Sequence, residues 1–269
     1  MVTPCEVSPA CKYCSLSSSI PAVQDERAEL TQPALARAAR YAVDQGIRSL
    51  VLVGGTAPEG SDLPVRKAVR TVKQVAEVEL ALDVGPSISA GTVEWLKQEG
   101  VRTIYCSIET VNPGVFGRAK PGDDLEGRIR FSTMLERHGM TLGNVVMNGL
   151  GSTDDLLRSV LYLRRFRRLG YLHLSTFHPV RGTPWAQRRP ASVRASVTGL
   201  AIARLAFPGV HLSLAEVEVE DPGSAARVAS QLRAGGGNTF AAVLVYRGRT
   251  VNHVERVRQE AAALGFMAS

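Results

Sequence analysis

From residue 28 onward, segments with helical hydrophobic period alternate with short apolar runs, and short loops join them. No other feature restricts the fold as much. Strand–helix–strand units bring their strands side by side only by crossing over, which gives a parallel sheet with covering helices. The periodicity places helices near 28–45, 62–75, 89–99, 122–138, 153–168, 191–206, 222–234 and 251–264. Apolar runs at 49–53, 78–84, 103–108, 142–147, 172–177, 210–214 and 240–245 read as seven strands. Gly46, Gly100, Gly139, Gly170 and Gly209 each stand just before one of the strands, where a helix ends on a glycine. This repetition fits a barrel or a doubly wound sheet, and the pattern alone separates the two weakly. Nothing reads as a linker. The expectation is one domain over 1–269, with a loop region at 1–27 followed by β/α repeats over 28–269.

The formal charge of +7 owes much to arginines on apparent helices, such as Arg164, Arg165, Arg167 and Arg168. With no known DNA-binding motif beside them they read as a solvated helix face, so no nucleic-acid partner is expected. No apolar run reaches the length of about 18 residues that a membrane span needs, so no membrane association is expected. The opening Met1-Val2-Thr3-Pro4-Cys5 has neither a basic nor an apolar leader, and a cytoplasmic location follows as the expectation.

Three of the four cysteines fall within the first fourteen residues, as Cys5-Glu-Val-Ser-Pro-Ala-Cys11-Lys-Tyr-Cys14. Disulfide frameworks spread their cysteines, whereas this pattern is a local set of metal ligands. Three thiolates on a cubane iron–sulfur cluster leave one iron open to an exchangeable ligand. A structural zinc site wants four closed ligands, yet no second cysteine pair and no histidine lies nearby. An electron-transfer cluster normally has four cysteines. The residues favour a site-differentiated cluster, with zinc and electron transfer as the alternatives.

The Cys11-Lys-Tyr-Cys14 end resembles the radical S-adenosylmethionine (SAM) superfamily, and especially biotin synthase and its relatives. Those relatives include the radical enzyme of FeFe-hydrogenase maturation and the methylornithine synthase of pyrrolysine biosynthesis. The resemblance implies a parallel (β/α) barrel of the radical SAM, TIM-like type, one [4Fe-4S] cluster on Cys5, Cys11 and Cys14, and SAM bound at its open iron. The usual spacing is C-x3-C-x2-C. The C-x5-C-x2-C found here is nearest to the radical SAM protein of iron-guanylylpyridinol ([Fe]-hydrogenase) cofactor biosynthesis. So few residues precede Cys5 that the first barrel strand is expected to be short or missing.

The same resemblance assigns further residues. Tyr13 matches the aromatic residue near the adenine of SAM. Gly54 and Gly55 sit where Gly-Gly-Glu binds the methionyl amino group through backbone carbonyls, with Thr56 in place of the acid. In Thr103-Ile-Tyr-Cys-Ser-Ile-Glu109-Thr110, Glu109 matches an acid near the ribose. Strand alternation puts Tyr105, Ser107 and Glu109 on one face and Cys106 on the other, so Cys106 reads as structural. Arg128 matches an arginine that contacts the SAM carboxylate. Asn144-Val-Val-Met-Asn-Gly149-Leu-Gly151 resembles the fifth-strand motif beside the adenosyl group, although Ser152 replaces a frequent Glu. Phe177-His-Pro-Val-Arg-Gly182-Thr183-Pro184 resembles the sixth-strand ending. Ser107, Asn144 and His178 are expected to offer polar contacts inside the barrel.

Gly143 stands where biotin synthase has a fifth-strand cluster ligand, and Glu216 where it has a seventh-strand arginine. The resemblance therefore implies radical chemistry on a carbon skeleton or a cofactor precursor, with a small-molecule substrate and an electron donor such as ferredoxin or flavodoxin. Sulfur insertion with a partner and a non-catalytic metal-binding scaffold remain the alternatives.

Overall fold

The computed structural model describes residues 3, 5–17, 31–214, 237, 243–246, 249–252 and 254–263. Six strands form one parallel sheet: β1 (Ser49–Val53), β2 (Glu79–Asp83), β3 (Thr103–Tyr105), β4 (Thr141–Asn148), β5 (Leu169–Thr176) and β6 (His211–Leu214). Helix α1 (Gln32–Asp44) precedes the sheet. The crossovers carry α2 (Asp62–Lys73), α3 (Ala90–Gln98), α4 (Pro113–Ala119), α5 (Leu125–Arg137), α6 (Thr153–Tyr162) and α7 (Val193–Ala206). Spatial order follows chain order from β1 to β6 without reversal. A doubly wound sheet reverses direction once, so this winding is that of a barrel, here an open six-stranded half-barrel.

Register decides which face each residue takes. Leu82, Ile104 and Leu142 are paired across β2, β3 and β4, and Leu172 is paired with Leu212. All five point outward and pack with Val69, Leu96, Leu135, Val160 and Leu200 from the helices. Each such fully buried side chain is worth about 1.5–3 kcal/mol, and this layer is the main core. The residues adjoining these face the concave side: Asp83, Tyr105, Gly143, Tyr171 and His211 lie in one register row.

Local signals explain the helix starts. Ser152 caps α6 through a reciprocal pair with Asp155, its hydroxyl accepting from the Asp155 amide at 3.1 Å. The serine that replaces a glutamate in the motif thus starts a helix. The helix expected over 122–138 is α5, and the short α4 before it was not expected. Helix α4 is short, begins on Pro113, and is capped by Asn112, whose Oδ1 accepts from Gly114 and Val115.

Three of the five expected helix-ending glycines, Gly46, Gly100 and Gly139, have positive φ. Gly170 does not. It lies inside β5 at a register shift, where a Cβ would overlap Thr141.

The run expected as a seventh parallel strand is instead half of a hairpin. β7 (Val243–Tyr246) pairs antiparallel with β8 (Arg249–Asn252), and α8 (Val254–Ala263) follows. The helix expected at 222–234, and Glu216, lie outside the described residues. No described helix is long and apolar enough to cross a membrane.

Candidate active site

The carboxyl ends of the strands gather the residues that the motifs single out. Thr3, Cys5 and Glu6 lie beside the end of β1. Gly55 N donates to Thr3 O and Glu6 N to Thr56 O, both at 2.9 Å. This stub stands where a further strand would pair, as expected for a short first strand. The approach explains Gly54 and Gly55 directly: a Cβ on Gly54 would overlap Thr3, and one on Gly55 would overlap the Cys5 backbone. The loop continues to Lys12, whose amide donates to Ala119 O at 2.9 Å and whose carbonyl accepts from Trp185 N at 2.9 Å. The end of α4 and the segment after β5 therefore hold the stretch between Cys11 and Cys14.

Cys11 is buried, and Cys5 and Cys14 are partly exposed. Burial pushes the Cys11 thiol up to about 12 and the Cys14 thiol up as well, and neighbouring thiols add to both shifts. Cys14 is the neighbouring thiol that raises Cys11, and Cys5 the one that raises Cys14. Among the described residues, however, no three His, Cys, Asp or Glu groups form a ready-made metal site. Cys106 is fully buried in the main core, its thiol 3.5 Å from the Arg128 carbonyl, as a structural cysteine would be.

Tyr13 is buried in a second apolar cluster with Val115, Ala119, Leu150 and Phe177. Its ring centroid lies 6.0 Å from that of Trp185. The Arg188 guanidinium lies 4.0 Å from the Trp185 ring centroid. His178 follows Phe177 at the same end and is half-buried. Gly149 has φ of 96°, and a Cβ there would overlap Ala191, so its backbone closes against the chain leading into α7.

Glu109 and Arg128 belong to a buried ionic network. Lys120 Nζ lies 3.0 Å from Glu109 Oε1 and 3.1 Å from Asp123 Oδ2. Arg128 reaches the same Asp123 oxygen at 2.6 Å. Burial alone would raise the Asp123 carboxyl, but the two cations outweigh it and hold it at about 2. Arg128 also donates to the carbonyl of Ser107 at 2.9 Å and to Thr56 Oγ1 at 2.9 Å. It is thus a brace between the ends of β1 and β3 as well as a candidate carboxylate contact. Ser107 takes part through its backbone. The other Glu109 oxygen, Oε2, is buried and has no hydrogen-bond partner among the described residues.

Asn144 is a correction. It faces the outer side of the sheet, where its amide donates to Cys106 O at 2.7 Å and accepts from Ile108 N at 3.2 Å. It stitches the irregular stretch after β3 to β4 and offers no contact inside the barrel. Lys120, Asp123 and Trp185 escaped the sequence reading. A lysine and an aspartate three residues apart in a turn after a capped helix carry no signature of burial, and only the packed structure reveals them.

A family model for the radical SAM superfamily matches residues 7–163, more than half of the chain. The chain belongs to the radical SAM superfamily. It is 27% identical over 211 residues to the uncharacterized protein MJ0785 of Methanocaldococcus jannaschii, covering 78% of this chain and 56% of that one. This chain therefore spans little more than half the length of that relative. Among solved structures, methylornithine synthase superposes with a TM-score of 0.80 at 16% identity, over 98% of this chain and 80% of that one. HydG from Carboxydothermus hydrogenoformans, an FeFe-hydrogenase maturase, gives 0.72 at 18% identity, over 86% and 55%. At such identities these likenesses speak to the fold alone.

Radical SAM membership implies a [4Fe-4S] cluster and SAM. The residues at this mouth fit both. Three free thiols occur in one loop that is pinned on two sides. A glycine pair admits that loop. A buried, unpartnered carboxylate oxygen sits on the neighbouring strand end, ready to accept from a hydroxyl.

Proposed function

We propose that this radical SAM enzyme holds one [4Fe-4S] cluster on Cys5, Cys11 and Cys14 and reductively cleaves SAM for a reaction on a carbon skeleton or cofactor precursor. When bound and reduced, the cluster supplies the electron that splits SAM into methionine and a 5′-deoxyadenosyl radical. The protein's part is to hold and exclude. Tyr13, Phe177 and Trp185 offer an apolar wall for the adenine. Glu109 Oε2 accepts from the ribose, and Arg128 keeps a cation beside the methionyl carboxylate. Gly54 and Gly55 leave backbone accessible next to Cys5. His178 lies on the segment at the adenosyl side.

One observation supports this reading over sulfur insertion. A Cβ at Gly143 would overlap the Tyr105 ring. That ring, with its hydroxyl 3.1 Å from His173 Nε2, covers the place where a fifth-strand ligand to a second cluster would stand. The C-x5-C-x2-C spacing further supports kinship with the radical SAM protein of iron-guanylylpyridinol cofactor biosynthesis. The substrate is read as a small molecule entering the concave face, and the reductant as a ferredoxin or flavodoxin.

The test is anaerobic reconstitution with iron and sulfide, followed by strong reductant and SAM. The expected result is about four irons per chain and slow formation of 5′-deoxyadenosine and methionine with no sulfide requirement. About eight irons per chain, with sulfur incorporated into an acyl substrate, would favour the sulfur-insertion reading. Intact SAM under every reducing condition would favour a scaffold.

A further inference from the structure

Glu109 is the only non-glycine residue among those described with a left-handed backbone, at φ 61°. Such a conformation is unfavourable for a residue with a side chain and persists where the surroundings over-determine it. Here they do. β3 ends at Tyr105, and the chain returns to β4 through Glu109. Its amide donates to Val145 O at 2.8 Å, and its carbonyl accepts from Met147 N at 2.9 Å. The backbone is fixed, so the carboxylate has only its side-chain torsions left to set.

Lys120 sets them. Its side chain is 4% exposed, and its ammonium is held by Glu109 Oε1, by Asp123 Oδ2 and over the Phe116 ring, 5.3 Å from the centroid. Its own amide closes α4 by donating to Phe116 O at 2.7 Å. The preceding carbonyl, that of Ala119, takes the Lys12 amide of the cysteine loop. One turn of chain thus grips the loop through its backbone and Glu109 through a side chain.

We propose that Lys120 is a positioning residue for SAM, holding Oε1 of Glu109 so that Oε2 is presented to the ligand. The inference rests on the reading that Glu109 faces SAM. Its charge logic is simple. Two cations, Lys120 and Arg128, pair directly with two carboxylates, Glu109 and Asp123, and the buried Asp83 nearby feels both cations. Removing Lys120 leaves Arg128, already committed to Asp123, as the remaining cation of the network. Glu109 Oε1 then has no cation holding it, the carboxylate turns away, and an acceptor is lost from the ribose side.

The experiment is calorimetric titration of the anaerobically reconstituted full chain with SAM and with S-adenosylhomocysteine, a probe that is not cleaved. The proteins are wild type, Lys120→Gln, Lys120→Arg, Glu109→Gln and the double Lys120→Gln/Glu109→Gln. Lys120→Gln is expected to lower affinity for both probes by about 10- to 100-fold with iron content unchanged. Lys120→Arg is expected to recover most of that loss. In the Glu109→Gln background, Lys120→Gln is expected to cost little more, because the lysine acts through the carboxylate. Equal losses in the two backgrounds, or an affinity within about twofold of wild type, would overturn the proposal. Should the Gln variants lose iron, Lys120→Arg decides alone: near-wild-type affinity supports the proposal, and a loss as large as that of Glu109→Gln overturns it. Wild type that binds neither probe overturns the functional reading beneath. Wild type that binds both while every Lys120 variant binds equally well overturns only this inference.

Discussion

Burial fixes the protonation of the histidine inside the barrel. His173 bonds through Nε2 to the Tyr105 hydroxyl at 3.1 Å and through Nδ1 to Ser213 Oγ. Burial holds its imidazole down at about 4, against an ordinary 6.5, so it is neutral at physiological pH. The unfolded chain takes up a proton as pH falls below about 6.5, while the native ring stays neutral until pH 4 is neared. Stability from this group is therefore fully present above the unfolded value and is lost as pH falls through the folded one. Urea unfolding at several pH values between neutrality and about 4.5 should show a steeper acid decline for wild type than for His173→Gln. Equal slopes would contradict the assignment. Cys106 reads from sequence as a buried thiol because strand alternation turns it away from Tyr105 and Ser107. Asn144 shows the opposite. Counting alternation from outward-facing Leu142 turns it outward, and a motif likeness is a weaker guide than that period.

The cysteine loop and β1 form one element pair whose spacing depends on glycine. With Gly55 directly against the Cys5 backbone, even a methyl group forces the loop away. Gly55→Ala should leave the half-barrel folded, since β1 keeps its register with β2 from Ser49 to Val53, but should sharply reduce iron uptake. Parallel circular dichroism and iron analysis check this, and full iron loading of the folded variant would contradict it. At this scale the strands over 49–214 and most helices are legible, because apolar period and length agree. Helix α4 is not, since seven residues with Gly114 and Gly117 carry little helical propensity. Its Asn-Pro start was the available signal. The hairpin is missed for another reason: an apolar run states that a strand exists and is silent about its partner's direction.

At the scale of the whole molecule, alternation dictates a parallel α/β sheet, while strand order alone distinguishes half-barrel from doubly wound sheet, and order is a property of packing. The site is legible to a similar depth. The three cysteines and the glycine pair announce themselves in sequence, whereas the ionic network of Lys120, Asp123, Glu109 and Arg128 depends on separated segments converging as charges leave water together. The central claim is that three cysteines leave one iron open to SAM. Electron paramagnetic resonance of the reduced, reconstituted protein tests it directly, by recording the cubane signal with and without SAM. The account predicts a signal that changes shape when SAM is added, survives Cys106→Ala, and disappears in Cys5→Ala, Cys11→Ala and Cys14→Ala. A signal indifferent to SAM, or one that persists without those three cysteines, would contradict it.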